Sequence, residues 1–141
     1  MFELSDFYHY CREHQVDVIP YIGCPKPGAT IRDQNYYAVF LDFSQIPSTR
    51  LLRGICFHEL GHVATGALHK VDSPYELVER SEYRAKRWGA QQYLTADAFR
   101  TAFQDGCQEL WELAEYFDMP EEVVRDAYQY WSDSQGIQFT E

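Results

Sequence analysis

His58-Glu59-Leu60-Gly61-His62 is an H-E-x-x-H sequence. Two histidines four positions apart in a helix stand one turn above the other on one face. Both imidazoles then reach a single Zn²⁺, and the glutamate points to the flank where water on that ion would sit. The chemistry this supports is hydrolysis: the ion lowers the pKa of the water toward about 7 and Glu59 takes the proton. Leu51, Leu52, Ile55, Cys56, Leu60, Val63, Ala64 and Ala67 recur at helical spacing around the motif and predict a helix from near Ser48 to near Ala67. Histidine and glutamate in so apolar a helix are costly unless paired or bound to metal.

A catalytic zinc has three protein ligands and one open position, so the two histidines need a partner. The candidates are Glu76, Glu79, Glu82 and His69. Glu82 is preferred, because Ala85 and Gly89 follow it at i+3 and i+7 and form a small-residue stripe along which a second helix can approach the first. Glu79 is the next choice. His69 would suit the metzincin pattern H-E-x-x-H-x-x-G-x-x-H, but Gly66 and His69 each fall one residue late, which turns a helical side chain by about 100°. Peptide hydrolysis also needs a donor for the developing oxyanion, for which Tyr36, Tyr37 and His69 are candidates.

These groups must be positioned by the elements around them. Phe2 to His14 reads as an amphipathic helix and Val16 to Ile22 as a strand. Gly23 to Gly28 is dense in breakers. Ala29 to Arg32 and Tyr36 to Phe43 then form a hairpin joined through Asp33, Gln34 and Asn35. Pro47 and Ser48 start the motif helix. Beyond Gly66, the turn Asp72-Ser73-Pro74 leads into a helix from about Pro74 to Leu94, a third helical region spans Ala96 to Phe117, and Met119-Pro120 separates it from a last helix over Glu121 to Trp131. The residues after Ser132 read as a frayed tail. The expected fold is α+β: a small antiparallel sheet packed on a helical zincin-like core, with a C-terminal helix pair.

At 141 residues and 45% hydrophobic content, the chain has room for one domain with a real core. Within that domain, residues 1–47 supply the N-terminal helix and sheet, 48–94 the zinc-site helices and 95–133 the C-terminal helices. A net charge of −10 with only 12 Lys and Arg argues against direct nucleic-acid binding, which needs clustered cations. The basic run Arg80, Arg84, Lys86 and Arg87 is interleaved with Glu76, Glu79 and Glu82 and reads as a solvated helix face. Cys11, Cys24, Cys56 and Cys107 are scattered without a C-x-x-C pair, so neither a disulfide framework nor a thiolate metal site is expected, and Cys56 reads as core. No stretch approaches the roughly 20 apolar residues of a membrane span, and a cytoplasmic location is expected.

The sequence resembles the ImmA/IrrE family of metallo-endopeptidases, found in mobile elements, phage among them, and in bacterial stress-response regulators. The resemblance is carried by Tyr37-Ala38-Val39-Phe40-Leu41-Asp42, by His58-Glu59-Leu60-Gly61-His62, and by Glu82-Tyr83-Arg84-Ala85-Lys86-Arg87-Trp88-Gly89, which is similar to the family's E-x-x-A-x-x-F-A element. It extends through Leu113 to Val123, similar to the family's C-terminal helices, and Trp88-Gly89 stands where the family has Phe-Ala. The resemblance implies a zinc endopeptidase with His58, His62 and Glu82 as ligands and Glu59 as base. Its substrate would be a specific protein, such as a helix-turn-helix transcriptional repressor. A different class of function is a catalytically inactive protein-binding module on the same fold, for which the aromatic cluster Leu110-Trp111, Phe117, Tyr128 and Trp131 would be the docking feature.

Overall fold

The computed structural model describes residues 1–68 and 74–139. The described chain is α+β, with six α-helices and a three-stranded sheet. In chain order the elements are α1 (Leu4–Glu13), β1 (Asp17–Pro20), β2 (Gly28–Asp33), β3 (Tyr36–Leu41), α2 (Thr49–Thr65), α3 (Tyr75–Gln92), α4 (Ala96–Gln104), α5 (Leu110–Phe117) and α6 (Glu121–Gln129). None of these helices is long and apolar enough to cross a membrane.

The expected hairpin forms, with β2 antiparallel to β3 and Gly28 opposite Leu41. The sheet as a whole is mixed rather than antiparallel, because β1 joins the other side of β3 in parallel, Asp17 opposite Ala38. The breaker-rich segment after Pro20 carries the chain across β3 instead of turning it back beside β1, and β2 becomes an edge strand. Asp42 fixes that crossing. It is 1% exposed, and its carboxylate accepts from the Gly23 and Cys24 amides at 3.0 and 3.2 Å and from Gln45 Nε2 at 2.9 Å. Hydrogen bonds from Ser44 and then Gln45 hold its carboxyl well below the usual carboxylate range.

The motif helix α2 starts where expected. Ser48 Oγ accepts from the Leu51 amide at 3.1 Å, and the helix ends at Gly66, whose φ of +65° suits a glycine. Cys56 and Leu60 on α2 are fully buried, in a core shared with Phe2 and Phe7 at the N-terminus, Val39 and Leu41 of β3, and Phe99, Phe117 and Met119 near the C-terminus. All four cysteines are free.

Two expectations are corrected in the C-terminal half. The single helical region over Ala96 to Phe117 is two helices, broken at Gly106, whose φ of +106° no helix accommodates, and restarted by a reciprocal capping pair between Glu109 and Glu112. The tail is not frayed through Phe139, which packs its ring on Phe99, Phe103 and Tyr128. The C-terminal helix pair, α5 and α6, turns at Asp118-Met119-Pro120. Pro120 sits against Gly54, where a β-carbon would come within 2.6 Å of the proline ring. That contact brings the first turns of α6 to the same side of α2 as the motif.

Candidate metal centre

His58 and His62 project from one face of α2, and their Nε2 atoms lie 3.2 Å apart. Glu82, in the second turn of α3, faces both: Oε2 is 3.2 Å from His58 Nε2 and Oε1 is 3.3 Å from His62 Nε2. Four-coordinate ligands about 2.0–2.1 Å from one ion would be about 3.3–3.4 Å apart along a tetrahedral edge; the two imidazole nitrogens are near that separation, and a different carboxylate oxygen of Glu82 faces each of them. Nitrogen and carboxylate donors together suit a borderline divalent ion. The three residues form the group among the described residues that could hold a metal.

The supports around the ligands are local and specific. His62 Nδ1 lies 2.6 Å from the Ala67 carbonyl oxygen, which can only accept, so a proton sits on Nδ1 and Nε2 is the nitrogen turned to the centre. Ser81, buried on α3 one position before Glu82, donates to the same carbonyl at 2.6 Å. One backbone oxygen thus fixes a ring on α2 and a hydroxyl on α3 together. Sequence reasoning missed this support, because Ser81 is marked by no motif and Ala67 acts through its main chain.

Burial pushes the His58 imidazole below its ordinary value, against the opposing pull of Glu59 and Glu82. Burial alone would raise the Glu82 carboxyl. The hydrogen bond with His62 and the charges of His58, His62 and Lys86 outweigh it and hold the group down to about 2. Burial also opposes charge on His62, but its bonds to Glu82 and the Ala67 carbonyl leave it raised. An ionised carboxylate beside a neutral imidazole is the state in which such groups bind metal.

Glu59 is 6% exposed and does not join the ligand cluster. Its Oε1 accepts from Thr30 Oγ1 of β2 at 2.7 Å, and a β-carbon at Gly28 would lie 3.5 Å from its Oε2. The edge strand therefore orients the carboxylate, and Gly28 lets it run close over α2, since a β-carbon there would come within 2.5 Å of Ile55 Cγ2. Thr30 was also missed from sequence, since it lies 29 residues away on another element. A cleft of about 490 Å³ opens over the group, walled by Gly28 to Thr30 on one side and by Pro120, Val123 and Asp126 on the other.

Of the remaining candidates, Glu76 and Glu79 are exposed and lie outside the cluster. His69, like Asp72 and Ser73 of the expected turn, lies outside the described residues. Tyr36 donates its hydroxyl to Asp17 at 2.8 Å, and Tyr37 places its hydroxyl against Gly66; neither lines the cleft. In the aromatic cluster, Phe117 is buried and Leu110, Tyr128 and Trp131 pack against the core, while Trp111 remains 55% exposed.

Gly61, within the motif, sets the distance between the two ligand-bearing helices. A β-carbon there would fall 2.5 Å from the Ala85 carbonyl oxygen, a backbone atom that cannot rotate away. The Gly61→Ala variant should therefore push α3 outward and move Glu82 off its two partners. We expect metal affinity to fall roughly tenfold or more with the fold retained, read by competition with a chromogenic chelator. Unchanged affinity would show that α3 need not sit this close. Comparison of the chain with protein-family models, with curated proteins and with solved structures finds no match in any of the three.

Proposed function

We propose that this chain is a zinc-dependent endopeptidase of the ImmA/IrrE type, with His58, His62 and Glu82 as ligands and Glu59 as general base. The observation that carries the reading is a carboxylate in excess: His58, His62 and Glu82 already gather three ligand atoms within 4.8 Å of one another, yet a fourth group, Glu59, is held beside them in the same cleft. A structural metal needs no base. Zn²⁺ in this set supplies Lewis acidity and lowers the pKa of water toward about 7. Glu59, oriented by Thr30, accepts the proton of the attacking water and returns it to the leaving amine. The free edge of β2 offers main-chain groups to an extended substrate segment running along the cleft.

The substrate in this reading is a specific protein in the cytoplasm, such as a helix-turn-helix repressor. That choice rests on the family resemblance, and the net charge of −10 would steer a basic partner toward the cleft. The inactive binding module draws little support, since most of the aromatic cluster behind it packs inward.

The test is metal content of protein purified without added metal, beside that of Glu82→Ala. About one zinc per chain, lost in the variant, is the expected result. Zinc retained by the variant would remove Glu82 from the ligand set, and no metal in either protein would favour the binding module.

A further inference from the structure

Lys86 follows Glu82 by one helical turn, so the two share a face of α3. It lines the cleft together with His58, Glu82 and Asp126, and it also borders a smaller hollow beside His58. Its Nζ lies 3.2 Å from Asp126 Oδ2 of α6. We propose that Lys86 is the anion-holding residue of this site, releasing Asp126 to donate to the oxygen that becomes negative when a peptide carbonyl is attacked. This deepens the endopeptidase reading and rests on it.

Three observations support the assignment. Among the described residues, the other side-chain donors considered are engaged: Thr30 donates to Glu59, the histidines belong to the metal set, and Tyr36, outside the cleft, gives its hydroxyl to Asp17. Lys26 and Lys86 are the cations lining the cleft among the described residues, and only Lys86 is on a helix that carries a ligand. Lys86 also borders, together with His58, the smaller hollow beside the cleft, so its side chain lies against the ligand set. The pair with Asp126 is a holding position. At 45% and 24% side-chain exposure it is weak, so exchanging one oxygen anion for another costs little. In the step itself, the water oxygen bonds to the peptide carbon while its proton passes to Glu59. The carbonyl π pair moves onto oxygen, and Lys86 donates to that oxygen.

The pair could instead be a strut between α3 and α6, and the two roles predict different signs. The probe is methylphosphonate, a tetrahedral anion, titrated calorimetrically into zinc-loaded protein whose zinc content is measured in the same samples. If Lys86 holds the anion, Lys86→Met weakens binding about tenfold, Lys86→Arg stays within about threefold of wild type, and Asp126→Asn tightens binding because it removes the competitor. Wild-type affinity in Lys86→Met, equal weakening in Lys86→Met and Asp126→Asn, or no binding to the zinc-loaded wild type would each overturn the assignment while leaving the metal centre intact. Absence of zinc from the wild type would be the failure of the metal reading itself, and this assignment would fall with it.

Discussion

Exchanging Glu59 for Gln should leave zinc bound and lower turnover by a factor on the order of 10²–10⁴. The two side chains have the same shape. The Thr30 hydroxyl that donates to Glu59 Oε1 at 2.7 Å can donate equally to an amide oxygen. Nothing in the packing distinguishes the variant from the wild type, and none of the three ligand atoms is touched. What the amide cannot do is accept the proton of the attacking water. The loss should appear in kcat, with KM and zinc content near wild-type values, measured on the protein that the wild type cuts. Full turnover in Glu59→Gln would sink the base assignment. Loss of zinc in the same variant would mean that Glu59 supports the metal and not the reaction.

The clustering of His58, His62 and Glu82 is legible in the sequence because it depends on local periodicity. His58 and His62 meet through one turn of one helix, and Glu82 was singled out by Ala85 and Gly89 spaced along the next. The other half of that helix contact was present in the motif and went unread: Gly61 faces the Ala85 main chain, and Gly89 seats the Phe57 ring, which a β-carbon would approach to 2.6 Å. Thr30, Ser81 and the Ala67 carbonyl left no signal, because each acts across elements whose approach is set by the packed core. Lys86 is a partial case. Like Arg80, Arg84 and Arg87 it is exposed, as a solvated face requires, and what the sequence leaves out is that the position of α6 also puts it at the border of the cleft. The parallel pairing of β1 has the same origin, since a run of breakers marks a loop but not the direction in which it crosses.

The largest effect on stability should come from Arg53, one turn before the motif on α2. Its guanidinium is 5% exposed and forks between separated parts of the chain: Nε donates to the Asp118 carbonyl at 2.7 Å, Nη1 to Glu3 Oε2 at 2.9 Å and Nη2 to the Phe2 carbonyl. It thereby ties the N-terminal segment and the turn between α5 and α6 to the helix that carries both histidines. The ion pair with Glu3 contributes little by itself, since that carboxylate is 56% exposed and would return to water. The cost of Arg53→Ala lies in carbonyls left without their donor and in the void left by the side chain, about 3–5 kcal/mol together. At this chain length that is a fall in Tm on the order of 10 °C by thermal unfolding. Lysine has one ammonium and cannot fork to several acceptors, so Arg53→Lys should recover only part of the loss. The donors of the metal set lie further along α2 and on α3, so at temperatures where it remains folded Arg53→Ala should still bind zinc. A Tm within about 2 °C of wild type would show that the carbonyls find other partners and that Arg53 is not the tie between these segments.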